Sequence, residues 1–559
     1  MLPWAPALTL GVLIGPVLAG LAGAAAPAFG WFPPLGGDTV TLAPFRALLA
    51  WPGFAASLRA TLVSAALSTA LSLALALLIV AAWGGTRGFR LIERALSPLL
   101  STPHAAAAFG LAFLIAPSGW AARALSPWAT GWTTAPDVLL IGDPWALSLA
   151  AGLVTKEVPF LLLMILAALP QADAARGALL ARALGYGRVW GWLKVVLPRV
   201  YPQIRLPVYA VLAYSASTVD MAVILGPTAP PPLAVQITLW TRDPDLSMRF
   251  VAAAGAMLLL AVTLGLLGAW RLGELAAARL GRAWVEGGGR GRRADGALRA
   301  AAGAAAALTS GAVFAGLAGL AVWSVAGLWT FPDFWPRSFR LDAWARAAPG
   351  LGAAAGETAL IGVVAVLVAL ALTLGCLEAE HRHQLGRPRR SLWLLYLPLV
   401  VPNVAFLTGL QTLALAAGLD GGRWAVAAAH VVFVTPYVFL SLADPWRAWD
   451  ARAGLAAAAL GAGPDRVLWA VRLPMLLRPV LTAAAVGFAV SVGQYLPTLL
   501  IGAGRVATLT TEAVTLASGG DRRLIGVYAL TQAAAACVGF ALALAIPAVA
   551  FRDRRGLRG

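Results

Sequence analysis

The sequence predicts an all-α, polytopic membrane protein, on two observations. Hydrophobic residues make up 60% of the chain and charged residues only 12%, so there is more apolar surface than a water-soluble core can bury. Apolar runs of about 20 residues, enough for one helix to cross about 30 Å of hydrocarbon, recur along the whole length. Because lipid cannot satisfy an open sheet edge, and the runs are too continuous for barrel strands, helices are the predicted element.

Twelve spans are expected, six on each side of a Gly- and Arg-rich stretch. Residues 1–271 form the predicted first half, 272–299 a cytoplasmic linker containing GGGRGRRADG, and 300–559 the second half. That linker composition is typical of a flexible connection. The first span is expected to be a retained helix, since no Lys or Arg precedes it. The spans are predicted at about 5–26, 57–82, 95–116, 145–168, 204–226, 250–271, 301–328, 354–377, 392–417, 424–442, 479–501 and 525–550.

The net charge of +18 is concentrated in the hydrophilic breaks between spans. Arg87 and Arg90 lie in one break, and Arg290, Arg292 and Arg293 lie in the linker. This is the positive-inside pattern, which predicts that these breaks are cytoplasmic. With six spans in each half, both termini are expected on the cytoplasmic side. Membrane topology and anionic lipid account for the charge, so the bilayer is an expected partner and nucleic acid is not.

One sequence pattern occurs twice, each time in a cytoplasmic break. The first repeat segment, 181–198, reads ARALGYGRVWGWLKVVLP, and the second repeat segment, 457–474, reads AAALGAGPDRVLWAVRLP. An offset of 276 residues relates Gly185 to Gly461 and also Ser215 to Ser491. Earlier in the halves the offset is about 299 and pairs Pro103 with Pro402. These recurring offsets, in the same chain direction, indicate an internal duplication of parallel type.

Each repeat segment is predicted to be a short helix ended by glycine, followed by a second helix that leads to proline. Such a compact structure can enter a cleft of a soluble partner. The candidate contact residues are Ala181, Arg182, Ala183, Leu184, Gly185, Leu197 and Pro198 in the first segment, and Ala457, Ala459, Leu460, Gly461, Leu473 and Pro474 in the second.

The two segments resemble the cytoplasmic signature of permeases from binding-protein-dependent ABC importers. That signature reads Glu-Ala-Ala, three residues, Gly, then Ile-x-Leu-Pro with the proline thirteen residues after the glycine. Gly185 and Gly461 match it together with the Leu-Pro endings, but Leu179 and Leu455 stand where the signature has glutamate. The resemblance covers essentially the whole chain and is to fused, two-half inner-membrane permeases of the ferric-iron and thiamine type.

The resemblance implies a type I ABC importer permease in the bacterial plasma membrane. Such a chain forms the solute pathway and works by alternating access, with two cytoplasmic ATPase subunits docked on the repeat segments and a periplasmic or extracellular solute-binding protein as a further partner. The chain itself is not expected to be an enzyme or to bind a cofactor. A phosphate-binding loop needs Gly-Lys-Ser/Thr, and neither Lys156 nor Lys194 lies in that context. ATP and Mg²⁺ are therefore expected in the ATPase subunits.

Polar residues inside a span are costly unless they line a pathway or pair with another group. The fifth spans help to line the central path in the resembling family, and the predicted pathway residues there are Ser215, Ser217, Asp220, Ser491 and Gln494. For the serines, hydrogen bonding between helices is the alternative. Lys156 and Glu157, close to Pro159, are candidates for a self-neutralised pair.

Two further interpretations concern a possible metal site and an alternative transport function. Cys376, Glu378, Glu380, His381 and His383 are metal-ligand types, but their spacing matches no closed zinc pattern, so a solvated cytoplasmic turn and no metal site are expected. An ion-coupled secondary transporter or a channel is the alternative function. It predicts inverted repeats or broken spans with acidic coupling sites, whereas the repeats here are parallel.

Overall fold

A computed structural model describes residues 2–385, 389–418 and 421–552. Helices make up most of that part of the chain, which confirms the all-α prediction. The one sheet among the described residues is an antiparallel ribbon of β1 (Trp31–Phe32) and β2 (Gly37–Asp38). It lies in the first hydrophilic connection, between the first and second α-helices.

The first predicted half contains thirteen helices among the described residues, besides short 3₁₀ turns at Leu2–Trp4 and Pro33–Leu35. They are α1 (Ala5–Ala28), α2 (Ala43–Ala50), α3 (Phe54–Trp83), α4 (Phe89–Ser101), α5 (His104–Ile115), α6 (Trp120–Leu125), α7 (Leu147–Ala168), α8 (Ala174–Ala183), α9 (Arg188–Val195), α10 (Leu197–Ser217), α11 (Asp220–Leu225), α12 (Leu233–Thr241) and α13 (Met248–Glu286).

The second predicted half repeats this order, with a π-helical turn, Leu468–Arg472, between α20 and α21. Its helices are α14 (Asp295–Val325), α15 (Asp342–Arg382), α16 (Arg389–Val400), α17 (Asn403–Ala416), α18 (Arg423–Arg447), α19 (Ala451–Ala459), α20 (Pro464–Val467), α21 (Leu473–Met475), α22 (Leu477–Val492), α23 (Leu496–Ile501), α24 (Leu509–Ala517) and α25 (Arg522–Ala550).

The number of membrane spans differs from the predicted twelve. Nine helices in the described ranges are long and apolar enough to cross a membrane, or eleven if each of two bent helix pairs is one span. The difference lies at the predicted span 204–226. There the structure has α10 and α11, and α10 begins with a polar stretch that includes Arg199, Gln203 and Arg205. Those polar residues lower its hydropathy below that of the other long helices.

Two predicted spans are interrupted by proline. The span predicted at 95–116 is divided into α4 and α5 before Pro103, and the span predicted at 392–417 into α16 and α17 before Pro402. The second interruption bends the chain by 84°. Proline donates no backbone hydrogen bond, and it forces the preceding residue into an extended conformation, as Thr102 shows with ψ 121°. The prolines that mark the duplication are therefore sites where helices break.

The connection between the halves is shorter than the predicted flexible linker. α13 continues to Glu286 and α14 begins at Asp295, so only 287–294 is non-helical. α15 likewise continues to Arg382. The turn predicted around Cys376 is therefore the last part of a long helix, which corrects the prediction of a solvated turn.

The first helix of each predicted half packs against the other half. α1 contacts α17, and α14 contacts α5. At the α14–α5 crossing the two backbones touch at Gly110 and Gly316: a Cβ built on Gly110 would lie 2.8 Å from the carbonyl carbon of Gly316. At the α1–α17 crossing, a Cβ on Gly23 would lie 2.5 Å from Gly409 O. Small residues permit this close approach. Glycine therefore allows the first helix of each half to pack closely against the other half.

The internal duplication also appears as one hydrogen bond made twice. The N-terminus of α12 donates from Leu233 N to Thr61 Oγ1 at 2.9 Å. The N-terminus of α24 donates from Leu509 N to Thr358 Oγ1, also at 2.9 Å. Backbone N–H groups at a helix start have no partner within their own helix. In both halves a threonine hydroxyl at a matched position accepts from this N–H group, which supports a parallel repeat.

Changing Gly316 to valine tests the α14–α5 crossing. The added methyl groups would overlap the backbone of Gly110, and overpacking of this kind costs about 1–3 kcal/mol. We expect a lower midpoint of thermal unfolding for the purified chain in lipid nanodiscs. Gly311→Val is the matched control, because Gly311 lies on the same helix and a Cβ there would meet nothing within 4 Å. Equal midpoints for the two variants would contradict the close crossing.

Candidate functional site

The first repeat segment begins with the end of α8, which is closed by Gly185. The backbone of Gly185 has φ +82°, a left-handed conformation that glycine adopts without strain. Gly185 N donates to Arg182 O at 2.9 Å, and Tyr186 N donates to Ala181 O at 3.0 Å. These two bonds form a Schellman motif, and α9 follows directly.

The second repeat segment has the same closure. Gly461 has φ +83°, and Gly461 N donates to Ala458 O at 2.9 Å while Ala462 N donates to Ala457 O at 3.0 Å. Both motifs thus agree residue for residue at the offset of 276. The helix after the glycine differs between the copies: α9 is one regular helix, whereas α20 continues into the π-helical turn.

Exposed leucines mark both segments. The exposed fraction of Leu184 is 63% and that of its counterpart Leu460 is 90%. Leu179 and Leu455, at the position of the signature glutamate, are 60% and 69% exposed. Exposed apolar side chains grouped on a helix are typical of an interaction surface. Of the other predicted contact residues, Arg182, Ala183, Pro198, Ala459 and Gly461 are exposed, Gly185, Leu197, Ala457, Leu473 and Pro474 are half-buried, and Ala181 is buried.

Both segments lie on one face of the molecule. α14 starts beside the first segment, where Asp295 Oδ1 accepts from Val189 N at 2.8 Å. Its other end is tied to the start of α15, since Arg340 N donates to Val325 O at 2.7 Å. α15 therefore runs back towards the face from which α14 came. It ends with Arg382 bound to Asp465 of the second segment at 2.8 Å.

The linker between the halves is bound to the first repeat segment. The side chain of Lys194 is buried, and its ammonium donates to Trp284 O at 2.8 Å and to Gly289 O at 3.0 Å. Arg292 Nε donates to Gly185 O at 2.6 Å. The segment is thus held on one side by residues that the sequence predicts to be a flexible connection.

The second repeat segment is held by a buried ion-pair network instead. Arg472 and Glu378 are each 4% exposed and lie 3.0 Å apart, and Arg472 also donates to Trp446 O at 2.9 Å. Glu378 accepts from Arg382 at 2.7 Å, which in turn reaches Asp465. Removing one partner of such a pair would leave a buried charge uncompensated. The end of α15 therefore anchors the segment.

This network also bears on the residues of metal-ligand type near Cys376. Glu378 forms ion pairs with two arginines, and Glu380 Oε2 forms one with Arg447 Nη2 at 2.8 Å. Within the described ranges, no group of three or more His, Cys, Asp or Glu residues is arranged to hold a metal ion. The acidic side chains here act as anchors for arginine.

The predicted pathway residues of the first half lie at the break between α10 and α11. Asp220 is buried and accepts from Thr218 Oγ1 at 3.0 Å. Ser217 Oγ donates to Ala213 O of its own helix at 2.9 Å. The buried Oγ of Ser215 has no hydrogen-bond partner among the described residues. A pathway role for all three stays a prediction.

The predicted pathway residues of the second half lie just before the equivalent break and within it. Ser491 Oγ is 2.8 Å from His430 Nδ1, and His430 Nε2 is 2.9 Å from Thr498 Oγ1. His430 thus connects α22 to α23 across the break, which is the interhelical role named as the alternative for the serines. Gln494 lies in the break itself and is half-buried.

Lys156 and Glu157 do not form the predicted direct pair. The Lys156 ammonium donates to Leu99 O at 2.7 Å and to Thr102 O at 2.5 Å, and so caps the broken end of α4. Glu157 Oε1 instead faces His104 Nε2 at 3.8 Å. No local sequence signal indicates that Lys156 reaches a helix end more than fifty residues earlier. The only signal was the presence of a charge inside an apolar run.

Comparisons with known proteins agree with this architecture. The family described as "Binding-protein-dependent transport system inner membrane component" matches residues 371–554. The chain is 35% identical over 533 residues to the inner membrane ABC transporter permease protein YnjC of Escherichia coli K12, covering 93% of each chain. It is 32% identical over 187 residues to the molybdenum transport system permease protein ModB of Mycobacterium tuberculosis H37Rv, covering 32% of this chain and 70% of that one.

A further similarity is to the putrescine transport system permease protein PotI of Escherichia coli K12. The identity is 31% over 140 residues, which covers 23% of this chain and 49% of that one.

Changing Lys194 to methionine tests the bound linker. A hydrogen bond from a charged group contributes about 1.5–3 kcal/mol, so loss of both bonds should raise the population of detached linker by about tenfold or more. We expect faster tryptic cleavage after Arg290, Arg292 or Arg293, followed by mass spectrometry of the fragments. Arg176→Met, at an exposed position on α8, is the control because it also removes one tryptic site. Unchanged cleavage in the Lys194 variant would show that the linker does not depend on this side chain.

Proposed function

Since the chain belongs to the inner-membrane permeases of binding-protein-dependent ABC importers, we propose that its two repeat segments dock two separate ATPase subunits. The chain is the transmembrane permease subunit of such an importer and a multi-pass inner-membrane protein. One observation carries the proposal: the same glycine-closed helix, with the same two hydrogen bonds and the same exposed leucines, occurs twice on one face. A pair of equivalent surfaces suits a partner that is itself present in two copies.

The contact with the ATPase subunits is proposed to be mainly apolar. Leu179 and Leu455 replace the acidic residue of the signature, so an ionic contact cannot arise at that position. Leu184 and Leu460 add a second exposed apolar side chain at the tip of each segment. Burial of one leucine contributes about 1.5–3 kcal/mol. Two leucines on each segment can therefore supply a substantial share of the docking free energy.

Transport then follows from movement of the two segments. ATP and Mg²⁺ bind in the partner subunits, whose closure and opening would move the segments and switch the permease between inward- and outward-open states. On this proposal both termini are cytoplasmic, and a solute-binding protein delivers the solute at the opposite face. The solute would pass the two helix breaks at or beside which lie Ser215, Ser217, Asp220, Ser491 and Gln494. The two-half division at 272–299 belongs to the same proposal.

For the solute, only its general type is proposed. The fused two-half form supports a permease of the ferric-iron or thiamine type. The names of the shorter relatives refer to molybdenum and to putrescine. These differ in chemistry, so the solute class has to come from the polar residues of the path.

The exposed leucines at the tips provide the test of docking. Leu184→Glu combined with Leu460→Glu places a charge at each proposed contact, and desolvation of an unpaired charge should reduce recovery of the ATPase by at least about tenfold. The measurement is co-purification of the tagged permease with co-expressed ATPase subunits of an ABC importer, together with solute uptake. Leu341→Glu is the control, because Leu341 is 68% exposed and lies where α15 begins, at the other end of that helix. Wild-type recovery with the double variant would overturn the docking proposal.

A further inference from the structure

Four helix breaks occur at corresponding positions in the two halves. Pro103 lies in the break between α4 and α5, and Pro402 in the break between α16 and α17. The breaks between α10 and α11 and between α22 and α23 lie at 218–219 and 493–495. Non-helical backbone inside a membrane is tolerated only where protein buries it or where it lines an aqueous path. Interrupted helices at matched positions are the usual location of a transporter's solute site.

Glu157 lies beside the first of these breaks and has unused hydrogen-bonding capacity. It is 5% exposed, and no described residue donates a hydrogen bond to it, since His104 Nε2 at 3.8 Å is beyond hydrogen-bond distance. The donors of the adjacent Lys156 are directed to backbone carbonyls. An acidic residue inside a membrane that is not used to bind backbone or arginine is a candidate for function.

Aromatic side chains from both halves lie near this carboxylate. The rings of His104 and Tyr214 are 4.9 Å apart between centroids. Tyr214 is close enough to Glu157 and Asp220, and Tyr437 of the second half close enough to Glu157, for these carboxylates to act on the tyrosine hydroxyls. Tyrosine rings attract a cation through their negative faces, with about 2 kcal/mol or more when the cation is desolvated. The surroundings therefore favour a positive ligand.

The charged side chains around the site also favour a positive ligand. Glu157 and Asp220 provide two carboxylates, against the one ammonium of Lys156. Arg242, which interacts electrostatically with Tyr495, is exposed, so solvent screens its charge. An oxyanion would meet a net negative charge here, whereas a cation would relieve it.

The site belongs to one half only. Pro159 corresponds to Pro436, so the counterpart of Glu157 is the buried Val434. By the offset of 299, His104 corresponds to Asn403. One acidic group near the break, rather than a symmetrical pair, suits a single solute molecule.

From these observations we propose that the helix breaks form a binding site for a small organic cation, with Glu157 as its anionic ligand and Tyr214 and Tyr437 as aromatic walls. The inference rests on the proposed transport function and names the class of solute that the path accepts. Metal coordination is not part of it, since no metal-holding group is arranged among the described residues.

The experiment measures binding to the purified full chain in lipid nanodiscs by equilibrium dialysis. The probes are labelled putrescine and tetraethylammonium as organic cations and molybdate as an oxyanion. The variants are Glu157→Gln, which removes the charge at nearly constant shape, and Glu157→Asp, which retains it. Glu93→Gln, at an exposed position on α4, is the matched control. Thermal unfolding midpoints show that each variant is folded.

We expect wild type to bind at least one of the cations and to bind molybdate no more than empty nanodiscs do. Glu157→Gln should weaken cation binding at least tenfold, Glu157→Asp should weaken it less, and Glu93→Gln should match wild type. The proposal is overturned if wild type binds neither cation, if it prefers molybdate, or if Glu157→Gln retains full affinity. If Glu157→Gln does not fold, the proposal is tested by whether the wild-type chain binds the cations in preference to molybdate. Capture of ATPase subunits is measured on the same preparations, so a chain that docks them but binds no cation fails this proposal alone.

Discussion

Hydrocarbon offers no hydrogen bonds to backbone groups, so every interruption of a membrane helix must be satisfied by the protein or by water in a path through it. This constraint accounts for much of the polar chemistry inside the protein. The break after α4 is satisfied by Lys156, which binds Leu99 O and Thr102 O. The end of α22 is satisfied by Thr510, whose hydroxyl donates to Val492 O and is itself bound by Gln532. Such residues are polar because a helix stops beside them. Glu157, which satisfies no backbone group, requires a different explanation.

The features that follow from local sequence could be predicted. Gly185 and Gly461 close their helices in the left-handed conformation because no other residue adopts it as easily, and the motif needs no distant partner. The all-α class follows from composition in the same way. The number of spans could not be predicted as well, since hydropathy measures the length of an apolar run. It does not register that Pro103 and Pro402 break a run in two, or that Arg199 and Arg205 make the start of α10 polar.

Contacts between distant parts of the chain could not be predicted. The linker has the composition of a flexible connection, yet Lys194 binds the carbonyls of Trp284 and Gly289. Carbonyl groups belong to every residue, so composition cannot indicate which of them a lysine will reach. The residues around Cys376 show the same limit. Their spacing argues against a metal site, but nothing in it shows that Glu378 pairs with Arg472, 94 positions later.

The two repeat segments have the same shape but are bound to the rest of the protein by different contacts. These contacts determine which helices would move when each segment is displaced. A displacement of the first segment is transmitted through Lys194 and Asp295 to the end of α13 and the start of α14. A displacement of the second is transmitted through Glu378 and Arg472 to α15 and α18. Because α14 crosses α5 at Gly110, movement of the first segment reaches the helix that begins with His104, beside Glu157. In the second half Arg472 donates to Trp446 O on α18, the helix that also carries Tyr437. Each segment therefore has a packed connection to the surroundings of Glu157, the first through α14 and α5 and the second through α18.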